Sequence, residues 1–152
     1  MSKDHATNKA PSAPGGAAAK PPARLAVRVY YEDTDFSGVV YHASYLRFLE
    51  RGRTELLRAA GVGHRDLFEN GEGVHFAVRS MSIEFLKPAL MDDLIEVETR
   101  IAAVGGASID MRQAILRGEE RLIAAAVRIA VISGGRAARL PQALRARLCD
   151  VG

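Results

Sequence analysis

One amphipathic segment, succeeded by an unbroken run of strand-like segments, most constrains what this chain can fold into. From Ala43 to Ala60, Tyr45, Phe48, Leu49, Gly52, Leu56 and Ala59 recur at three- and four-residue steps. That spacing predicts a helix with one apolar face. Arg47, Glu50, Arg51, Glu55 and Arg58 fall largely on the other faces, where Arg51 with Glu55 and Glu55 with Arg58 can pair. Gly61 is a natural stop. Gly52 inside the apolar stripe costs about 1 kcal/mol relative to alanine, so a close approach of the helix to a packed sheet is expected there.

The chain beyond Gly73 reads as four strands. Val74 to Phe85 ends before Lys87-Pro88. Asp92 to Val104 alternates, with Ile95, Val97, Thr99 and Ile101 on one side. Ser108 to Arg117 and Arg121 to Ile132 complete the set, punctuated by Gly105-Gly106, Gly118-Glu119-Glu120 and Gly134-Gly135. The alanine-rich run Leu122 to Val127 leaves helix as an alternative for part of the last. A first strand, Leu25 to Tyr31, precedes the helix, and His64 to Glu69 reads as one more short helical turn. Short turns favour antiparallel neighbours. One helix and one sheet must bury each other, and a helix of about 18 residues, ~27 Å long, gives the sheet something to curl around.

Residues 1–23 are rich in Ala, Pro, Gly, Ser and Lys, and Met1 is their only large aliphatic residue. Such a segment cannot offset its ordering entropy, so it is expected to be a disordered arm. The domain is expected over 24–135, with a tail over 136–152 holding a short helix around Ala143 to Leu148. No apolar run approaches a membrane span, and no secretory signal is recognisable; a cytoplasmic protein without membrane insertion is expected. Cys149 is the single cysteine, which excludes an intramolecular disulfide, and no Cys/His group has zinc spacing, so no metal is expected. The net charge of +3 comes without an aromatic platform or a nucleic-acid motif, so no nucleic-acid partner is expected.

The chemistry concentrates between the first strand and the long helix, in Tyr30-Tyr31-Glu32-Asp33-Thr34-Asp35-Phe36-Ser37-Gly38-Val39-Val40-Tyr41-His42-Ala43-Ser44-Tyr45. All four tyrosines of the chain lie there. A carboxylate near an electrophile can act as nucleophile or general base. A helix N-terminus offers unpaired amides and about half a positive charge to a developing oxyanion. Asp33, two residues from Asp35, is read as holding the loop through backbone hydrogen bonds. Gly38 is read as letting the backbone come close to a substrate.

Tyr31-Glu32-Asp33-Thr34-Asp35, Gly38-Val39-Val40-Tyr41-His42, Tyr45-Leu46, Phe48, Glu50-Arg51, Arg53 and Glu55 resemble the signature of the YbgC-type acyl-CoA thioesterases, in the superfamily of 4-hydroxybenzoyl-CoA thioesterase. The resemblance continues through Arg79, Met81, Glu84-Phe85, Pro88-Ala89 and Asp92-Asp93. It implies an α+β hotdog fold, a five-stranded antiparallel sheet wrapped around one long central helix, assembled as homodimers or homotetramers with active sites between subunits. It implies Asp35 as the catalytic carboxylate, nucleophile or general base, and the backbone N–H of His42 as oxyanion donor. The His42 side chain assists catalysis or shapes the pocket. Tyr31, Gly38, Val39, Val40 and Tyr41 are the implied substrate-binding residues. The substrate is an acyl-CoA or an acyl carrier protein, and no cofactor is required, coenzyme A being part of the substrate; Arg79, Lys87 and the late arginines Arg136, Arg139, Arg145 and Arg147 are candidates for its phosphates. A hydratase or dehydratase of the same fold, using Asp35 and His42, and a non-catalytic acyl- or partner-binding protein are the alternatives.

Overall fold

The structure is a computed structural model and describes residues 20–70 and 73–151. Strand β1 (Ala23–Arg28) leads through a 3-10 turn (Tyr31–Asp33) to helix α1 (His42–Ala59) and a short helix α2 (His64–Asn70). Strands β2 (His75–Phe85), β3 (Leu94–Val104), β4 (Ser108–Arg117), β5 (Glu120–Ser133) and β6 (Arg136–Ala137) come next, and α3 (Gln142–Val151) closes the chain. The sheet is antiparallel in the order β1-β3-β4-β5-β2, with β6 paired to β5. The fold is α+β, a curled sheet carrying one long helix.

The five expected strands form, and β6 adds a sixth of two residues where Gly134 and Gly135, both at positive φ, turn the chain back onto Ile132 and Ser133. The run Leu122 to Val127 is strand throughout. Its alternate residues Ile123, Ala125 and Val127 are buried, and they pair with Ile115, Gln113 and Met111 of β4. Strand β1 stops at Arg28, before the expected end at Tyr31. The reason is local: the Asp33 carboxylate accepts the Tyr30 N–H at 2.8 Å and winds the next residues into the 3-10 turn. Helix α3 is longer than expected, and Leu144 and Leu148 anchor it on the core. Of the expected arm, residues 1–19 lie outside the described residues. Lys20 to Ala23 are part of the fold: Ala23 pairs with Thr99, and Lys20 donates to the carbonyls of Cys149 and Asp150 at the end of α3.

Helix α1 buries Tyr45, Phe48, Leu49, Gly52, Leu56 and Leu57 against the sheet, where Ile95, Val97 and Thr99 of β3 are fully buried. The apolar stripe drifts around the helix as 3.6-residue turns accumulate, so Ala60 is buried and Ala59, expected in the stripe, is exposed. A Cβ on Gly52 would stand 2.6 Å from Val97 Cγ1 and 2.9 Å from Thr99 Oγ1; glycine is there because helix and sheet touch at that point. Beside it lies a polar anchor that the helical pattern does not reveal. Buried Arg53 donates to Gln113 Oε1 at 3.0 Å, and Gln113 Nε2 donates to Leu49 O at 2.8 Å and Thr99 Oγ1 at 2.9 Å. Burial holds the Arg53 guanidinium below its ordinary pKa, against the opposing pull of Glu50. On the solvent side Glu55 pairs with Arg58, while Arg51 lies 6.0 Å over the Phe48 ring.

Candidate active site

The segment between β1 and α1 folds into a small hairpin. Thr34 bridges Val40, Asp35 N–H donates to Val39 O at 2.9 Å, and Gly38 N–H donates back to Asp35 O at 3.1 Å. Gly38 has φ +80°, which supplies the left-handed residue the turn needs. The hairpin is fastened to the β2–β3 connection: Val39 bridges Leu90, and Val40 N–H donates to Ala89 O at 2.9 Å. Asp33 holds the other side. Its carboxylate takes the Tyr30 amide, its carbonyl accepts the Tyr41 N–H at 2.9 Å, and Arg47 lies 3.9 Å away. Asp33 is therefore spent on the loop.

Asp35 sits at the start of the turn, exposed. Its Oδ1 accepts two hydrogen bonds from Ser37, the hydroxyl at 2.6 Å and the backbone N–H at 2.8 Å. The Ser37 hydroxyl, then its amide, hold the Asp35 carboxyl below the usual carboxylate range. It is an anion in water, as a nucleophile or base must be.

Helix α1 begins at His42 with Tyr41 as N-cap, and no side chain caps it. No acid lies in its first turn either. Ser44 N–H is taken by Tyr41 O at 2.8 Å, but the amides of His42 and Ala43 have no intrahelical acceptor. Next to this helix start is an open groove of about 290 Å³ lined by Val40, His42, Tyr45, Phe85, Leu86, Lys87 and Pro88. Its wall is fixed from behind: Tyr45 Oη accepts the Ala89 N–H at 2.9 Å, and Arg117 ties Pro88 O and Asp93 to the β4–β5 turn. The His42 ring lies 4.4 Å from Tyr41 and 6.5 Å from Phe85, centre to centre.

Of the residues expected at a site, the groove brings together Val40 and His42. Val39 serves the hairpin bridge, and Tyr41 packs on His42 while half exposed. Tyr31 does not wall the groove: it lies in the 3-10 turn, 82% exposed. Gly38 has open space where a side chain would be. Asp35 and Phe36 project at the tip of the hairpin, with Phe36 fully exposed. Phe85, Leu86 and Pro88 come from far along the chain, and the antiparallel run of β2 against α1 delivers them; Phe85 and Pro88 were signalled by the resemblance and by the pause at Lys87-Pro88, Leu86 by nothing local. Among the described residues no cluster of three His, Cys, Asp or Glu is placed to hold a metal ion, and no helix is long and apolar enough to cross a membrane.

The family profile of the thioesterase-like superfamily matches residues 29–148. The chain belongs to that superfamily. It is 47% identical over 100 residues to the acyl-CoA thioester hydrolase YbgC of Escherichia coli O6:H1 (strain CFT073), a match spanning 66% of this chain and 73% of that protein. The crystal structure of a probable thioesterase from Bartonella henselae superposes with a TM-score of 0.75 at 49% identity, covering 78% of this chain and 98% of that one. A thioesterase from Thermus thermophilus solved with coenzyme A and zinc superposes with a TM-score of 0.75 at 28% identity, covering 87% of this chain and 95% of that one. The hotdog thioesterase architecture implied by the loop motif is thus that of the whole domain.

Proposed function

We propose that this chain is a thioester hydrolase that cleaves acyl-CoA with Asp35 as its catalytic carboxylate. The observation that carries the reading is the uncapped start of α1 beside an apolar groove: two amides without a side-chain cap among the described residues, at the positive end of an 18-residue helix. A thioester carbonyl set there meets the His42 N–H as negative charge grows on oxygen, an interaction worth about 3–4 kcal/mol in the transition state. The acyl group lies on Phe85, Leu86 and Pro88. The ionised Asp35 attacks the carbonyl carbon or deprotonates water. The His42 ring forms part of the groove wall.

Asp35 does not line the groove of its own chain. The projecting hairpin and the exposed edge strand β2, with Val78 48% and Phe85 52% exposed, suit a site completed by a second copy, so the active unit is a homodimer or a pair of dimers. The name of the Escherichia coli relative and the coenzyme A in the Thermus thermophilus relative support an acyl-CoA substrate.

The test is a panel of acyl-CoA and acyl carrier protein thioesters read by free-thiol release. Wild-type protein is expected to release thiol from acyl-CoA. Asp35→Ala is expected to lose a factor of about a hundred or more with circular dichroism and melting unchanged. Full activity in that variant would remove Asp35 from the chemistry, and hydration of an enoyl-CoA without thiol release would move the chain to the hydratase reaction.

A further inference from the structure

The two oxygens of Asp35 are not equivalent. Oδ1 accepts both the Ser37 hydroxyl, at 2.6 Å, and the Ser37 amide, at 2.8 Å. Two donors on one oxygen set both the torsion of the side chain and the direction of the other oxygen. The hydrogen bonds to the Asp35 side chain both fall on Oδ1, with the Val39 amide and Asp35's own amide adding a weaker pull on the carboxylate, and the residue is exposed. The turn does not need the hydroxyl to close, since Gly38 N–H to Asp35 O and Asp35 N–H to Val39 O already do so. The Ser37 hydroxyl therefore acts on the carboxylate and not on the loop.

We propose that Ser37 is a positioning residue for hydrolysis, anchoring Oδ1 of Asp35 so that Oδ2 is the reacting atom. The inference rests on the reading of Asp35 as the catalytic carboxylate and adds to it which atom reacts and what aims it. If Asp35 is the nucleophile, Oδ2 bonds to the carbonyl carbon, the carbon–sulfur bond breaks, and the thiolate leaves and is protonated from solvent. Water then cleaves the mixed anhydride to the free acid and the restored carboxylate. If Asp35 is the base, Oδ2 takes a proton from the water that adds to the carbon, and that proton leaves with the thiol. In either case a fixed Oδ1 removes the rotation that would otherwise exchange the two oxygens, so the reactive orientation is held before substrate arrives.

The same contact sets the acid limit of the reaction. The Ser37 hydroxyl and amide lower the pKa of Asp35. In the same loop and in the β2–β3 connection packed against it, Asp33 is engaged with the Tyr30 amide and Arg47, Asp93 with Arg117, and Lys87 with Glu120, while Glu32 and Asp92 are exposed. The His42 ring packs tilted against Tyr41 and edge-on to Phe85. Activity needs the ionised form, so it is lost as pH falls through the Asp35 pKa. Removing the hydroxyl raises that pKa and moves the loss to higher pH.

The experiment compares full-length wild type, Ser37→Ala, Ser37→Thr and Asp35→Asn. It follows the acyl-CoA pH–rate profile and the titration of the Asp35 side-chain carboxyl carbon by 13C NMR. Ser37→Ala is expected to move the Asp35 titration and the acidic limb of kcat upward together. It should lower kcat on the order of tenfold, the weight of one lost hydrogen bond, with KM little changed. Ser37→Thr, which keeps the hydroxyl, should restore both. If Asp35→Asn is inactive while Ser37→Ala leaves titration and limb where they were, Ser37 is only a turn residue and the hydrolase reading stands. A titration that moves without the limb overturns the proposal as well. If Asp35→Asn retains full rate, the reading of Asp35 fails and this inference goes with it.

Discussion

Asp35 and Asp33 are two residues apart and chemically alike, yet the fold treats them oppositely. Asp33 is buried and its carboxylate takes the Tyr30 amide; Asp35 is exposed and its carboxylate is held chiefly by Ser37. The loop role of Asp33 was legible because an aspartate at the end of a strand-like run has amides within reach. The Ser37 contact was not, because it depends on a turn closed by the Asp35–Val39 and Gly38–Asp35 hydrogen bonds and pinned by the Val39–Leu90 bridge. Gly52 is the other residue whose identity is explained by a distance. Gly52→Ala gains about 1 kcal/mol of helix propensity but drives a methyl into Val97 Cγ1 at 2.6 Å. Overpacking of this kind costs about 1–3 kcal/mol, so urea denaturation should show net destabilisation. A variant more stable than wild type would mean that helix and sheet separate there without loss.

At the scale of elements, the groove exists because α1 and β2 run in opposite directions, so the start of one faces the end of the other. The connection from Leu86 to Asp93 is then held by charge. Arg117 donates to Asp93 Oδ2 at 2.7 Å and to Glu120 Oε2 at 2.8 Å, and Lys87 lies 2.9 Å from Glu120. Burial pushes the Asp93 carboxyl up, but the Leu90 amide and Arg117 outweigh it and leave its pKa below the ordinary value. Lys87, then Arg117, lower that of Glu120. Both folded-state values are depressed, so these carboxylates stabilise the fold above about pH 4–4.5, the unfolded range, and the contribution fades as pH falls through the folded values. Arg117→Met is therefore expected to melt below wild type at pH 7, with the gap closing toward pH 3. A gap that is constant with pH would show that Arg117 acts by packing alone. Periodicity made α1 and the inner face of β3 readable, since alternation and the 3.6-residue repeat are properties of a segment; the continuously apolar Leu122–Val127 of β5 left strand and helix open. It could not give the buried Arg53–Gln113 pair, whose members lie 60 residues apart.

At the scale of the whole molecule, the sheet ends in β1 on one side and β2 on the other. An 11-residue edge strand with exposed apolar side chains is a surface that proteins usually cover. Light scattering is expected to give a dimer or tetramer. Val78→Lys, a charge on that edge, should shift the protein toward monomer and lower activity in parallel. A fully active monomer would mean that one chain holds a complete site. By itself the sequence determined the α+β class, the single long helix and the strand series, and it singled out the loop proposed to carry the chemistry, because each is written in the spacing of neighbouring residues. Only the tertiary structure decided that Phe85, Leu86 and Pro88 face the start of α1, that Tyr31 does not line the groove, and that both Ser37 donors meet the same oxygen of Asp35. Those facts depend on where β2 crosses the helix and on how the hairpin is pinned to Ala89 and Leu90. Such long-range pairings are set by packing, and no local pattern encodes them.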